Sequence, residues 1–334
     1  MSLPTPELAT GHDMGGESLI AAAEHLAGRS PSKIAMDRLR SDKVAMVSAA
    51  VVLFFVLVAI FAPLITRAWG VDLRGGDPVR DTDQFGFPLI GPPYHGFIWS
   101  HPLGLEPLNG NDLFAEWVYG ARTSLEVATL TTALATILGV VIGLIAGFSR
   151  GAGDKLISFM IDVFLSFPFL LGALAMAPII LNRYGANSGD LQRASFWALV
   201  GILTFFGWMG LARLIRGEVF SLREREFIQA ARVIGVPTRQ ILFKELLPNL
   251  VAPIVVSISL GLPAFVTAEA GFAFLGIGLT GQPSWGQTIN RAQGYFQSDP
   301  TYLWAPVVGI MILVLALNLL GDAVRDAFDP KTRR

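Results

Sequence analysis

Six apolar runs, each near twenty residues, constrain this chain more than any other feature. They extend over about Val44 to Ile65, Thr123 to Phe148, Leu156 to Leu181, Phe196 to Leu214, Leu250 to Ala268 and Leu303 to Leu320. A hydrocarbon layer of about 30 Å takes about 20 helical residues, so each run is long enough to cross it. In lipid the backbone must satisfy its own polar groups, and single runs do so as α-helices. The expected fold class is an all-α integral membrane protein with six transmembrane helices. Composition agrees: 15% of the 334 residues are charged, against about 25% in a soluble domain. Asp162 is singled out as a charge inside the third run, six residues before Pro168. An ionisable residue there faces a bundle interior or water.

The placement of Lys and Arg orients the chain. With the N-terminus inside, eighteen of the 25 fall in inside segments and seven outside. That bias over an even number of spans puts both termini in the cytoplasm. The first run lacks a small-residue cleavage motif and reads as a retained span. The expected organisation is a cytoplasmic segment over 1–43, a first span over 44–65, an extracytoplasmic loop over 66–122, a core over 123–320 and a cytoplasmic tail over 321–334. The loop is rich in Gly, Pro and aromatic residues, which points to an ordered cap. Exterior Trp285, Tyr295, Phe296 and Tyr302 read as interfacial belt residues or contacts for a partner. With no Cys, disulfides, thiolate metal sites and Cys nucleophiles are excluded. His12, His25, His95 and His101 show no metal spacing, and a net charge of −1 suggests no nucleic-acid partner.

Between the fourth and fifth runs lies the longest charge-dense stretch, around Val219 to Pro253. With Arg213 and Arg216 it holds seven basic residues. Glu218 to Ile234 reads as one helix, with Phe227, Ile228, Ala231 and Ile234 along its apolar side. Gly235 is placed to end it and Pro237 bars continuation. A second short helix is expected over Thr238 to Leu247, with Thr238 as N-cap. Such an element is either an amphipathic surface helix on lipid or a knob for a cytoplasmic partner.

The spacing here resembles the EAA loop of ABC importer permeases. Gln229-Ala230-Ala231 is followed after three residues by Gly235 and later by Leu247-Pro248. Gln229 stands where the name-giving Glu is usual. Glu245 stands where this branch has His and the wider family Ile. Flanking stretches narrow the branch. WVYGARTSL over 117–125, His101 to Gly104, Gly110 to Asp112, EAGFAFLG over 269–276, PSWG over 283–286 and NLLGDAVRDAFDP over 318–330 resemble the second permease subunit of dipeptide, oligopeptide and nickel importers.

The resemblance implies a type I importer permease (MetI-like) core with an extra N-terminal helix, in a bacterial inner membrane. It implies four kinds of partner: a second permease subunit, two ATP-binding subunits, an extracytoplasmic substrate-binding protein, and membrane lipid. It makes 217–248 the coupling loop, with Gln229, Ala230, Ala231, Gly235, Thr238 and Pro248 docking an ATPase. No GxxxxGK[ST] loop occurs here, so ATP and Mg are expected on those subunits and no cofactor on this chain. The chain is not expected to be an enzyme. Asp162 and Glu269 are candidates for the translocation path; Glu269 either meets a peptide amino group or holds its loop in shape. Peptides are the implied substrates, with nickel chelates or glutathione as alternatives. A secondary transporter would need more ionisable residues inside the spans and usually an internal repeat.

Overall fold

The computed structural model describes residues 31–74, 76–181 and 188–328. His12, His25 and most of the expected first segment lie outside the described residues. So do 182–187 of the second exterior segment and 329–334 of the tail.

A short helix α1 (Pro31–Ser41) leads into α2 (Lys43–Trp69), the first expected span. Asp42 caps α2, its Oδ1 accepting from Val44 N and Ala45 N at 2.8 and 3.3 Å. An outer segment with the one-turn helix α3 (Pro78–Asp81) follows. The central element is α4 (Leu113–Phe148), about 54 Å long at 1.5 Å per residue. Its outer turns therefore stand clear of the bilayer, and they carry the Arg122–Glu126 pair at 2.8 Å.

The third expected span is broken. It consists of α5 (Ala152–Ser166) and α6 (Phe169–Leu181), which meet at 86°. Pro168 has no N–H to donate and disfavours helical geometry in the residue before it. Phe167 is accordingly extended, at φ −77° and ψ 131°. Next come α7 (Ser188–Gly207) and α8 (Met209–Leu222), which form one crossing over Gly189–Leu222. A short helix α9 (Glu226–Val233) precedes the continuous run α10 (Thr238–Phe274). The outer helix α11 (Trp285–Ala292) and the last span α12 (Pro300–Phe328) complete the order. Five crossings stand as long apolar helices, and the bent pair makes a sixth.

Around α4 pack α2, α7, α8 and α10, while α12 lies against α10 and α2. The contact between α4 and α8 is the most extensive. A Cβ added to Gly143 would stand 2.7 Å from Ile215 Cβ and 2.8 Å from Ala212 O. At Gly147 it would stand 2.7 Å from Arg216 O and Val219 Cβ. Small residues spaced by four let two backbones approach where lipid offers no hydrophobic drive.

The outer side is a packed cap. Trp285, read from sequence as a belt or partner residue, is fully buried. Its Nε1 donates to Trp117 O, and Trp117 Nε1 donates to Ala305 O, both at 3.0 Å. Tyr302 is also buried, and its hydroxyl donates to Glu106 Oε1 at 2.6 Å. Arg291 bridges Glu106 at 2.6 Å and Glu116 at 2.8 Å, tying the outer loop to α4 and α11. Asp112 caps α4 through Ala115 N and meets His101 Nδ1, each at 2.6 Å. Burial pushes the Asp112 carboxyl above the usual carboxylate range, against the pull of Ala115 N–H and His101. Asp299 Oδ1 accepts from Tyr302 N at 3.1 Å at the start of α12, and its Oδ2 has no partner. Burial pushes Asp299 up to about 6.

Two expectations follow. Gly143→Ala should cost about 1–3 kcal/mol by overpacking and lower the thermal midpoint in detergent, read by tryptophan fluorescence. Gly217→Ala, with open space around its Cβ inside α8, should instead raise the midpoint slightly. Asp299 binds its proton more tightly folded than unfolded, so its contribution is full below the ordinary Asp range and is lost as pH rises through about 6. Thermal melts should fall between about pH 4 and pH 6 and level off above that, and Asp299→Asn, a good N-cap with no charge to bury, should flatten that part of the profile.

Candidate functional site: the inner knob and the open cavity

The expected helix over Glu218 to Ile234 is interrupted: α8 ends at Leu222 and α9 begins at Glu226. The backbone leaves helical geometry at Arg225, at φ −72° and ψ 147°, and Arg223 just before it turns its side chain inward. Its Nη1 donates to Gly147 O at 2.9 Å and Ser149 O at 3.0 Å. Gly147 O is among the last carbonyls of α4, which have no partner within their own helix. The Arg223 guanidinium also stacks over the Phe220 ring at 4.1 Å. Arg232 likewise covers Phe148 at 4.5 Å. Two arginines thus bind the stretch to the inner end of α4.

Only part of the expected apolar stripe is packed. Ile228 is buried with Leu144, Ile215, Val219, Ile241, Leu246 and Leu250. Ala231 is half-buried on the same cluster, whereas Phe227 and Ile234 are exposed. Val233 and Ile234 protrude furthest, at 88% and 80% exposure.

Gly235 ends α9 as expected, with φ +83°. Gly235 N–H donates to Arg232 O at 3.0 Å and Val236 N–H to Ala231 O at 2.9 Å. This pair of bonds is a Schellman closure, with Val236 and Ala231 in the same apolar cluster. The expected separate second helix is not separate. α10 starts after Pro237 and winds as a π-helix over Ile241–Leu246 and a 3-10 turn over Leu247–Leu250. From there it continues into the fifth span. Pro248 removes one α-type hydrogen bond, and the altered winding absorbs it without ending the helix. Thr238 is the first helical residue and not the cap, a position held by Pro237 without a side-chain bond. Gln229 Nε2 donates to Glu224 O at 3.1 Å across the break. Ala230, Thr238 and Pro248 are exposed. The coupling-loop residues therefore share one rigid knob with an apolar tip, flanked by exposed Arg225, Arg239 and Lys244.

The two path candidates lie apart. Glu269 is fully buried in the outer half of α10, where Ser124 Oγ of α4 donates to its Oε2 at 2.8 Å. Its Oε1 has no partner. Asp162 is open and accepts from Arg213 of α8. A cavity of about 510 Å³ is bounded by α4, α6, α7, α8 and α10, with Thr132, Thr136 and Ser257 among its lining; Gly210 and Leu214 of α8 line it, whereas Asp162 and Arg213 do not.

These features define a class: a polytopic helical membrane protein with a cavity among its spans and an exposed apolar knob between two of them. The chain belongs to the family of binding-protein-dependent transport system inner membrane components, which matches residues 139–334. Residues 30–75 match the N-terminal TM domain of oligopeptide transport permease C, in accord with the extra first helix. A dipeptide transport system permease protein DppC from Alkalihalophilus pseudofirmus is 35% identical over 305 residues, covering 91% of each chain. An oligopeptide transport system permease protein OppC from Bacillus subtilis is 30% identical, covering 93% of this chain and 94% of its own. A glutathione transport system permease protein GsiD from Salmonella typhimurium is 32% identical, over 91% and 92%. Among solved structures, an inward-facing MetNI methionine ABC transporter matches with a TM-score of 0.50 and 22% identity. That match covers 64% of this chain and 96% of the other, and it shows the shared MetI-type fold.

The position of Arg223 predicts a specific cost. Arg223→Gln cannot reach both carbonyls, and losing a charged hydrogen-bonded group there should cost about 2–3 kcal/mol. Limited proteolysis should then cut within 223–226 before any span is released.

Proposed function

We propose that this chain is a permease subunit of an ATP-driven importer for dipeptides or oligopeptides. It lines the path together with a second permease subunit, and an extracytoplasmic binding protein delivers the substrate. Two ATPase subunits bind ATP and Mg, so this chain carries neither a cofactor nor an active site of its own. In this reading the membrane is the bacterial inner membrane, with both termini and the knob on the cytoplasmic side.

One observation carries the reading. Val233 and Ile234 stand exposed on a knob whose backbone is closed by Gly235 and rooted in α4, α8 and α10. An apolar tip on a stiff base suits burial in a partner's groove better than contact with lipid. Exposed Gln229, Ala230 and Thr238, with half-buried Ala231, would shape the docking surface, while Pro248 marks the return into α10. Differential contact with the knob in two ATPase states would then bias the spans between two arrangements. The peptide class is supported by the dipeptide and oligopeptide relatives. Glutathione, itself a short peptide, is the second reading, supported by the GsiD relatives.

The test is reconstitution of the chain with its second permease, ATPases and binding protein in liposomes, measuring ATP hydrolysis and peptide uptake together. The purified chain alone should hydrolyse no ATP. Ala231→Glu or Ile234→Asp in the complex should cut uptake by about tenfold or more, as for a truncated interface hot spot, with the fold of the chain retained. Full ATP-driven uptake by both variants would rule out the docking role.

A further inference from the structure

Two ion pairs join α5 to α8, and they differ in kind. The inner one, Arg216 to Asp154 at 2.8 Å, is largely enclosed, and Asp154 also accepts from Ser158 at 3.1 Å. It is a staple between helices. The outer one, Arg213 to Asp162, stays open: the side chains are 60% and 54% exposed. Neither has another side-chain partner among the described residues.

Its depth follows from the contact of α8 with α4. Gly139 meets Leu211 and Gly143 meets Ile215, so Arg213 stands between these levels. That is roughly 10 Å outward from the inner end of α4 at 1.5 Å per residue. No charge falls within α4 from Val127 to Phe148, so this level lies in hydrocarbon. Exposed charges there face protein or water, not acyl chains. The neighbouring positions agree. Gly210 and Leu214, within one turn of Arg213, line the cavity that holds Thr132, Thr136 and Ser257.

We propose that Asp162 and Arg213 are a charge-reading pair on the translocation path, favouring solutes that carry both an ammonium and a carboxylate. The proposal rests on the reading of this chain as a path-forming permease. The chemistry is one of exchange. A guanidinium has five N–H donors in a fixed fork, and a carboxylate has two accepting oxygens. A solute carboxylate can dock on Arg213 while the solute ammonium takes Asp162, so every charge keeps a partner. A neutral solute offers neither charge a partner and so gains nothing by displacing the pair. A singly charged solute leaves one unpaired. The pair thus works as a filter with the same sign pattern as a free peptide.

The test uses the reconstituted complex and a labelled zwitterionic dipeptide, with Asp162→Asn, Arg213→Gln and the double variant. Each single variant should lower uptake by about tenfold or more, because it removes one of the two charged contacts to the solute. The double variant leaves no charge unpaired; it should assemble and hydrolyse ATP like the parent while uptake stays down by a similar factor. Wild-type uptake by the double variant would make the pair a second staple and overturn the proposal. A second measurement does not depend on transport. The chain has no Cys, so Leu214→Cys adds a single thiol to this subunit beside the pair. In the assembled complex it should react with a charged, water-soluble methanethiosulfonate, and dipeptide should slow that reaction. An inert thiol would place the face against lipid or a sealed interface and overturn the proposal. Failure of the parent complex to take up any peptide, with a reactive and dipeptide-protected thiol, would instead count against the transport reading while supporting the pair.

Discussion

The close approach of α4 and α8 sets the geometry of the inner half of the molecule. Because Gly143 and Gly147 carry no side chain, the α8 backbone comes within reach of α4 along two turns. Arg223 at the end of α8 therefore arrives at the open carbonyls of α4. The same approach sets Arg213 and Arg216 opposite α5. A wider helix separation would leave Arg223 short of its acceptors. In lipid this packing cannot rest on hydrophobic drive and depends on shape, so the small residues are structural in the strict sense.

The two ends of the spans are built on different rules. Outside, Glu106, Glu116, Arg291 and Tyr302 are interlocked side chains drawn from the loop, α4, α11 and α12. Removing one member strands a charge or hydroxyl in a buried site, so the cap moves as a block or not at all. Inside, the knob is anchored through backbone closure at Gly235 and through arginines on carbonyls and rings. Those contacts keep the knob stiff while leaving its tip bare. The altered winding at Ile241–Leu250 then passes the knob into α10 without a loop.

Much of this was legible from residue order, and the misses share a physical cause. Span positions, the Gly235 cap and the permease resemblance depend on local composition and spacing, which a single sequence displays. The 86° break at Phe167–Pro168 had a local signal as well, since proline restricts the residue before it, but an unbroken hydropathy run concealed it. Arg223, Trp285 and Tyr302 could not be placed, because their partners lie 74 to 196 residues away. An arginine among arginines looks solvated until a carbonyl is found for it. A tryptophan beyond a span looks interfacial until a second tryptophan encloses it. Ile234 failed in the opposite direction: its helical spacing marks an apolar face, but periodicity does not say whether that face is filled by the same chain or by a partner.

Glu269 and Asp162 show why charge in a span needs its surroundings before it has a role. Both were candidates for the path on position alone. Glu269 is enclosed by α4 and α10, with Ser124 as its donor and one oxygen unpartnered; in this arrangement no solute reaches it. Asp162 is paired and yet open, and its partner Arg213 lies within one turn of two residues that line a cavity with hydroxyls in its wall. Burial makes the first a matter of how the outer helices hold together. Exposure leaves the second within reach of solvent. The difference lies in the packing of α5 against α8, and so returns to the glycines that let α8 lie close on α4.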